Sequence, residues 1–121
     1  MNKKIPKIIQ RWADSISQRN PKAMTKFYSK QSVLLATFES LLIGREEIEG
    51  YFVEFLDKDN LSCKITENYT KTDYDGDTHV ANGIYEFTFT ENDKPQKVVA
   101  RYTYVINRGR IITHHSSVNP K

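Results

Sequence analysis

The sequence predicts an α+β domain with helices in its N-terminal half and an antiparallel meander in its C-terminal half. The 121 residues fit a single domain spanning 1–121. Apolar residues recur at helical spacing in the first half, whereas from Leu61 onward they alternate with a period of two. Helices gathered at one end of a chain and antiparallel strands at the other pack as helices on one face of a sheet. We therefore expect three helices on one face of an antiparallel sheet.

Two helices open the predicted order. The first covers residues 6–18 and starts near Pro6, because proline is favoured in a first helical turn. Asn20 and Pro21 end it, since the residue before a proline is disfavoured in the helical conformation. A short helix over 22–28 can follow. The first helix carries one apolar stripe, formed by Ile5, Ile8, Ile9, Trp12 and Ile16.

The third helix follows a short strand, which the run SVLLATF predicts at 32–38. Gly44 ends that region, and the run REEIEGYFVEFLDK has helical periodicity. Glu46 and Glu47 lie in the first turn, where the helix dipole stabilises carboxylates by ~0.3–1 kcal/mol each. Five apolar residues share one face of this helix: Ile48, Tyr51, Phe52, Phe55 and Leu56.

Three turn signals divide the remaining chain into four strands: DGD at 75–77, ENDKP at 91–95 and NRG at 107–109. NRG is predicted as a three-residue loop in which Gly109 is left-handed, because a two-residue loop would force that conformation on Arg108. ENDKP is predicted as a five-residue loop that keeps Pro95 out of the hydrogen-bonded ladder.

These loops align a polar row across the sheet. Counting back by twos places Arg101 opposite His115 on one side and Tyr85 on the other, and the row reaches Glu67. Its face is otherwise mostly apolar, so we assign it to the side that the helices cover. A guanidinium there needs a negative partner, either the Glu67 carboxylate or a bound anion. His115 is a candidate acid or base, since the ordinary histidine pKa is ~6.5, although hydrogen bonding a strand end is the simpler role.

The opposite face of the sheet is also largely apolar, and the predicted helices are too few to cover both faces. We expect a second copy of the chain to cover it, because large exposed apolar patches mark interfaces and closed dimers are the commonest oligomers. The sequence thus predicts a homodimer or a larger symmetric ring. The predicted interface residues are Ile84, Tyr102, Tyr104, Ile106 and Ile112.

Composition excludes several classes of function. The net charge of only +3 does not indicate a nucleic-acid binder. Cys63 is the single cysteine, which excludes an internal disulfide and a cysteine-based zinc site, and the adjacent His114 and His115 point to opposite faces of a strand. No metal or cofactor is therefore predicted. No run approaches the ~18 apolar residues of a membrane span, and the basic start lacks an export signal's apolar core. We expect a soluble, cytoplasmic protein with no membrane partner.

Several runs resemble a known superfamily. ANGIYEFTF, VVARYTYV and HHSSVNP, preceded by NPKAMTKFYSKQSVLLAT and GREEIEGYF, are similar to the nuclear transport factor 2-like (SnoaL-like) superfamily over nearly the whole chain. Within it, the chain looks closest to bacterial proteins resembling the association, or hub, domain of calcium/calmodulin-dependent protein kinase II. The resemblance implies a cone-shaped fold, a pocket between sheet and helices, and an oligomer built through the sheet. Arginines line the hub pocket, which can hold small carboxylates, and Arg101 matches one of them.

Three functions remain open as hypotheses. The first is a homo-oligomeric module that holds a small carboxylate or other anion on Arg101, in a pocket whose helical wall is formed by Trp12, Tyr28, Tyr51 and Phe55. The second is an isomerase, cyclase or dehydratase in which His115 or Glu67 moves a proton and Arg101 stabilises an oxyanion. The third is a pure oligomerisation or protein-interaction domain, which predicts a filled or closed cone. Ala36 and Thr37 replace the general-base Asp of the superfamily's steroid isomerases, so that chemistry is not expected.

Overall fold

A computed structural model describes residues 2–37, 41–73 and 76–120. It confirms an α+β fold with three α-helices and six strands. The helices are α1 (Lys7–Ser15, extended by a 3₁₀ turn over Ile16–Gln18), α2 (Pro21–Thr25) and α3 (Gly44–Phe55). The strands are β1 (Tyr28–Leu35), β2 (Leu41–Ile43), β3 (Asp59–Thr72), β4 (Thr78–Glu91), β5 (Lys94–Asn107) and β6 (Arg110–Val118).

The strands form one curved, unclosed sheet in the order β2-β1-β6-β5-β4-β3. Neighbours are antiparallel except β1 and β6, which run parallel. Neither this parallel pair nor the short β2 was predicted from the sequence, because no local turn signal marks either of them. The strand predicted at 32–38 begins earlier, at Tyr28, and Phe38 lies outside the described residues.

Side chains accept hydrogen bonds from backbone N–H groups at the starts of the two later helices. Asn20 Oδ1 accepts a hydrogen bond of 3.1 Å from the backbone N–H of Ala23, with Pro21 as the first helical residue of α2. Glu47 Oε1 accepts one of 2.9 Å from the N–H of Ile43 at the start of α3. The second helix is shorter than the predicted 22–28, because the chain is already extended at Tyr28.

The helices pack against one face of the sheet, which we call the inner face; the other is the outer face. Trp12 of α1 stacks on Tyr85 of β4 with ring centroids 5.7 Å apart, and Phe52 of α3 meets Trp12 edge to face at 6.3 Å. Inner-face side chains are buried and alternate with exposed or half-buried outer ones. The hydrophobic core of the chain therefore lies in the cone between the helices and the inner face.

The turn between β4 and β5 differs from the predicted five-residue loop. Asn92 and Asp93 alone connect the strands, with φ of 52° and 62°, and Pro95 pairs with Thr90 inside the ladder. Two left-handed residues form the hairpin turn whose twist matches that of the strands, and Asn and Asp tolerate this conformation. Proline has no backbone N–H to donate to a neighbouring strand. Pro95 is tolerated because β6 ends opposite Ala100, so no strand of the described sheet lies beside Pro95 on the side away from β4.

The turn between β5 and β6 also has two residues. Arg108 and Gly109 have φ of 49° and 78°, and a bulge in β6 adds one further residue before Thr113 pairs with Val105. Turn and bulge together leave the predicted face of β6 relative to β5 unchanged. The shorter β4–β5 turn, however, shifts the pairing of β4 with β5 by one residue from the predicted register. This turns every side chain of β5 to the other face of the sheet.

The predicted interface is therefore largely wrong. Tyr102, Tyr104 and Ile106 point to the inner face and are buried in the core of one chain. Ile84 does lie on the outer face, half-buried, and Ile112 is half-buried at the bulge of β6. The physical reason is the one-residue change at Asn92 and Asp93, because a strand's side chains alternate between faces.

Candidate functional site

The predicted polar row does not form. Tyr85 faces the helices and is buried, whereas Arg101, His115 and Glu67 lie exposed on the outer face. Arg101 pairs with Ile84 of β4 and not with Tyr85. The predicted position of Arg101 beneath the helices is thus wrong, while its binding of an anion stays a prediction.

A chain of hydrogen bonds runs through the cone instead. Trp12 Nε1 donates to Tyr28 Oη at 3.0 Å, and Tyr28 Oη lies 2.9 Å from His114 Nδ1. On the other side of the imidazole, His114 Nε2 lies 3.1 Å from Tyr85 Oη, which donates to Ser116 Oγ at 2.6 Å. Side chains from α1 and from three strands thereby meet around one buried histidine. The two residues that β6 contributes to these hydrogen bonds, His114 and Ser116, were not among the predicted site residues.

The hydrogen bonds determine the tautomer of His114. Tyr85 gives its hydroxyl proton to Ser116, so its oxygen accepts from His114, which places the ring proton on Nε2. Nδ1 is then an acceptor, and Tyr28 donates to it. A hydrogen bond between Ser116 Oγ and Thr37 Oγ1 extends the network to β1's C-terminal end. Both ring nitrogens are therefore satisfied in the neutral state.

Burial keeps these groups uncharged. Desolvation of the buried imidazole, assisted by the nearby His115, lowers the pKa of His114 to about 3. Burial also raises the pKa of the Tyr28, Tyr85 and Tyr104 hydroxyls above the ordinary tyrosine value. At neutral pH this network consists of neutral groups, and it offers no charge to a carboxylate ligand.

Tyr104 completes the interior beside His114. Their rings stack with centroids 4.0 Å apart and an interplanar angle of 17°. The Tyr104 hydroxyl is buried and makes no hydrogen bond within the described part of the chain. A buried polar group without a partner carries a desolvation cost that nothing offsets.

Little space remains inside the cone. The gap between α1, α3 and the inner face measures about 10 Å³, which is room for about one water molecule. Of the four predicted wall residues, Trp12, Tyr51 and Phe55 border this gap, and Tyr28 is buried in the hydrogen-bonded chain. Tyr51 stacks on Phe55 with centroids 5.4 Å apart. Aromatic side chains thus fill the volume that the sequence analysis assigned to a ligand.

The outer face holds an open groove of about 520 Å³ around Arg101. Arg101 Nη2 donates to Ser117 Oγ at 3.2 Å, and no carboxylate among the described residues lies within ion-pair distance of the guanidinium. His115 and Thr103 border the groove, and Asn82 donates to Thr103 Oγ1 at 2.7 Å. The guanidinium is therefore accessible to an anion.

Apolar side chains surround this groove on the outer face. The helices of the described chain pack on the inner face, so they leave the outer one open. Six large hydrophobic residues are exposed in the described ranges, and four of them lie on the outer face: Leu35, Leu41, Ile43 and Tyr69. Half-buried apolar residues lie between them: Val33, Val80, Ile84, Val99 and Val105. Such a concentration on one face is typical of an interaction surface.

Other kinds of site find no support in the described ranges. No three His, Cys, Asp or Glu side chains there lie close enough together to hold a metal ion. None of the described helices is long and apolar enough to cross a membrane. Cys63 is half-buried on β3, and burial raises the pKa of its thiol. The hydrogen-bonded interior and the outer groove are thus the two candidate sites.

Comparison with known proteins places this geometry in a family. The calcium/calmodulin dependent protein kinase II association domain matches residues 1–120. A crystal structure from Xanthomonas campestris, provisionally assigned to that association domain, has 31% sequence identity and a TM-score of 0.86, covering 100% of this chain and 96% of its own. No curated protein matches the sequence.

More distant structures share the fold alone. A nuclear transport factor 2-like protein with a cystatin-like fold from Novosphingobium aromaticivorans has 12% identity and a TM-score of 0.77, over 92% of this chain and 77% of its own. A provisionally assigned dehydratase of the same superfamily from Streptomyces avermitilis has 10% identity and a TM-score of 0.81, over 94% and 93%. The predicted resemblance is confirmed: the chain belongs to the calcium/calmodulin-dependent protein kinase II association-domain family, on the nuclear transport factor 2-like fold.

Proposed function

We propose that this chain is a homo-oligomeric association module that assembles through the outer face of its sheet. The observation that carries the proposal is the apolar outer face, which holds four of the six exposed large hydrophobic side chains of the described residues. Covering such a face with a second copy removes apolar surface from water at roughly 25 cal/mol per Å². The name of the matching family, an association domain, supports the same function.

The filled cone also favours association over chemistry in the interior. A closed interior with room for about one water is what a pure oligomerisation domain would have. The alternative of an isomerase, cyclase or dehydratase relied on His115 and Glu67, and both are exposed on the outer face. General acid–base catalysis depends on a group held against a bound substrate, and the neutral, fully hydrogen-bonded His114 is poorly suited to accept a proton.

The proposal is tested by the mass of the chain in solution. The wild-type protein should have at least twice the 14.1 kDa mass of one chain by light scattering. Ile84→Lys, which puts a charge on the outer face at β4, should reduce the mass to that of a monomer. Val53→Lys is the matched control, because Val53 is 56% exposed on α3, away from this face, and should leave the mass unchanged. A monomeric wild-type protein would contradict the proposal.

A second function rests on the Arg101 guanidinium, which has no carboxylate partner among the described residues. We propose that a small carboxylate can bind in the outer groove of a chain whose outer face is not covered by a second copy, on Arg101 with Ser117 and His115 beside it. This retains the anion-binding prediction and moves it from the cone to the opposite face. Carboxylates bind guanidinium groups through paired, charge-assisted hydrogen bonds.

A thermal-shift series with acetate, malonate and succinate tests this second function. Arg101→Ala should abolish any rise in melting temperature that these anions produce. Arg110→Ala removes an equal charge from an exposed position in β6 and should retain the rise. Equal shifts in Arg101→Ala and wild type would remove the ligand role.

A further inference from the structure

We propose that residues 2–4 form a strap that blocks the edge of the sheet at β3, and that the side chain of Asn68 is the latch that holds this strap closed. The inference concerns the edge of the sheet, whereas the proposed function concerns its outer face. It assigns a role to a segment that neither the interior network nor the outer groove uses.

The strap is bound to β3 through the backbone. β3 is the last strand of the described sheet, so its side away from β4 is an edge. Asn2 N–H donates to the carbonyl oxygen of Thr70 at 3.0 Å, and Thr70 N–H donates to that of Asn2 at 2.6 Å. This exchange of two bonds is the antiparallel pattern, and it uses both backbone groups that Thr70 turns outward. The strap therefore takes the place of one further strand at this point.

Asn68 fixes the other end of the strap from within the fold. Its buried side chain donates from Nδ2 to the carbonyl oxygen of Lys4 at 3.1 Å and to Thr70 Oγ1 at 2.9 Å. Asn68 Oδ1 accepts a hydrogen bond of 2.7 Å from the hydroxyl of Tyr102, whose ring lies over Gly83. The amide thus has partners for its N–H groups and for its oxygen, and a satisfied buried group of this kind favours one orientation. The latch is held by the core of the sheet.

The strap lies where the edge of β3 is regular. In the first half of the strand, Asn60 has a left-handed φ of 56°, Lys64 is exposed, and a bulge precedes Glu67. Bulges and lysines are devices that keep an edge strand from pairing with another chain. From Glu67 to Thr72, by contrast, β3 pairs with β4 without interruption. The strap crosses this uninterrupted segment.

Without the strap, this segment would be complementary to a second copy of itself. Glu67 and Lys71 lie two positions to either side of Tyr69, so antiparallel pairing centred on Tyr69 sets Glu67 of each copy opposite Lys71 of the other. The outward backbone groups of Asn68 and Thr70 would then meet across the contact. Unpaired edges of this kind lead to edge-to-edge association. The strap keeps copies of the chain from joining through this edge.

Hydrogen exchange of the Thr70 amide, measured by NMR, tests the latch. Asn68→Asp keeps the acceptor for Tyr102 but removes the donor to Lys4, so exchange at Thr70 should become about tenfold faster. It should also stay faster than exchange of the Tyr104 amide, in the middle of the sheet, because the opening is local.

Two variants complete this measurement. Asn107→Ala is the matched control, because it removes a side-chain hydrogen bond to Thr78 and should leave exchange at Thr70 unchanged. Asn2→Pro removes the N–H that Thr70 accepts, at the periphery of the fold, and should also speed exchange. It replaces Asn68→Asp if that variant does not fold. Wild-type exchange at Thr70 in both strap variants would overturn the latch.

Light scattering tests the blocking of the edge. The measurement is made in an Ile84→Lys background, in which contacts through the outer face are disfavoured. Adding Asn68→Asp or Asn2→Pro should at least double the mass relative to this background, and adding Asn107→Ala should not change it. Faster exchange at Thr70 with no gain in mass at any protein concentration would overturn the blocking role. A monomeric wild-type protein would contradict the proposed function alone, because both readouts here are comparisons between variants.

Discussion

Lowering the pH should destabilise the fold through one residue, His114. Its pKa is about 3 in the folded chain, because burial penalises the charged ring, and ~6.5 in the unfolded chain. A folded pKa below the unfolded one means that the stabilisation is complete above pH 6.5 and is lost as the pH falls from there toward 3. The free energy of unfolding should fall by about 1.4 kcal/mol per pH unit in that window, or about 2 kcal/mol between pH 7 and pH 5.

Urea denaturation followed by the fluorescence of Trp12 measures this loss, at one fixed protein concentration because self-association also stabilises the fold. His115→Gln is the control, because His115 is the exposed neighbour of the same residue type, and it should retain most of the pH dependence. His114→Gln should be less stable at pH 7 and lose most of the dependence between pH 7 and 5. The NMR signal of the His114 ring should also stay constant over that range. A wild-type stability that does not change between pH 7 and 5, or a His114 signal that titrates near 6.5, would refute the reasoning.

Three further predictions concern the same packing. Gly83→Ala should destabilise the fold by about 2–3 kcal/mol, because the added Cβ would overlap the carbonyl oxygen of Glu67 and lie 2.5 Å from the Tyr102 hydroxyl. Gly50→Ala is the control on α3, where open space surrounds the glycine, and it should stabilise the fold by up to about 1 kcal/mol. Equal effects of the two substitutions in thermal melts would contradict the close approach at Gly83. Tyr85→Phe should cost about 1–3 kcal/mol, because it leaves His114 Nε2 without a partner and removes the hydrogen bond that Tyr85 donates to Ser116. Tyr104→Phe removes a buried hydroxyl that has no partner in the described part of the chain, and should be neutral or stabilising. The reverse order in urea denaturation would contradict the hydrogen-bonded chain. Asp93→Gly should stabilise by about 0.5–1 kcal/mol, because glycine is preferred at the second position of this two-residue turn, and a loss of stability would argue for a longer loop.

The sequence was sufficient to predict the helices and the general architecture because their signals are local. The stripe through Ile9, Trp12 and Ile16 and the face of α3 follow from spacing alone, and both faces are buried as expected. The parallel pairing of β1 with β6 joins segments about 80 residues apart, and no local pattern marks it. The superfamily resemblance supplied the cone shape that periodicity could not.

The candidate site was harder to predict because it depended on one turn, between β4 and β5, and on a bulge in β3 between Ile65 and Glu67 that turns Glu67 to the outer face. Asn92 and Asp93 both tolerate left-handed backbone, and this signal for a two-residue turn was present in ENDKP. The position of Pro95 favoured a longer loop, and that choice reversed every side chain of β5. The corrected register places Tyr104 opposite His114 inside the cone and Arg101 outside it. The left-handed Arg108, by contrast, could not be inferred from its residue type.

The most direct test of the central claim, that outer faces of two copies meet, is a distance between them in solution. A nitroxide label on Ile84→Cys, in a Cys63→Ser background, would lie on the outer face at β4. Facing sheets pack ~10 Å apart, so pulsed dipolar spectroscopy should give a label-to-label distance below about 25 Å. The same label on Val53→Cys, on α3, should give a longer distance or none. Absence of coupling at Ile84 at every protein concentration, or a short distance from Val53 instead, would contradict the claim.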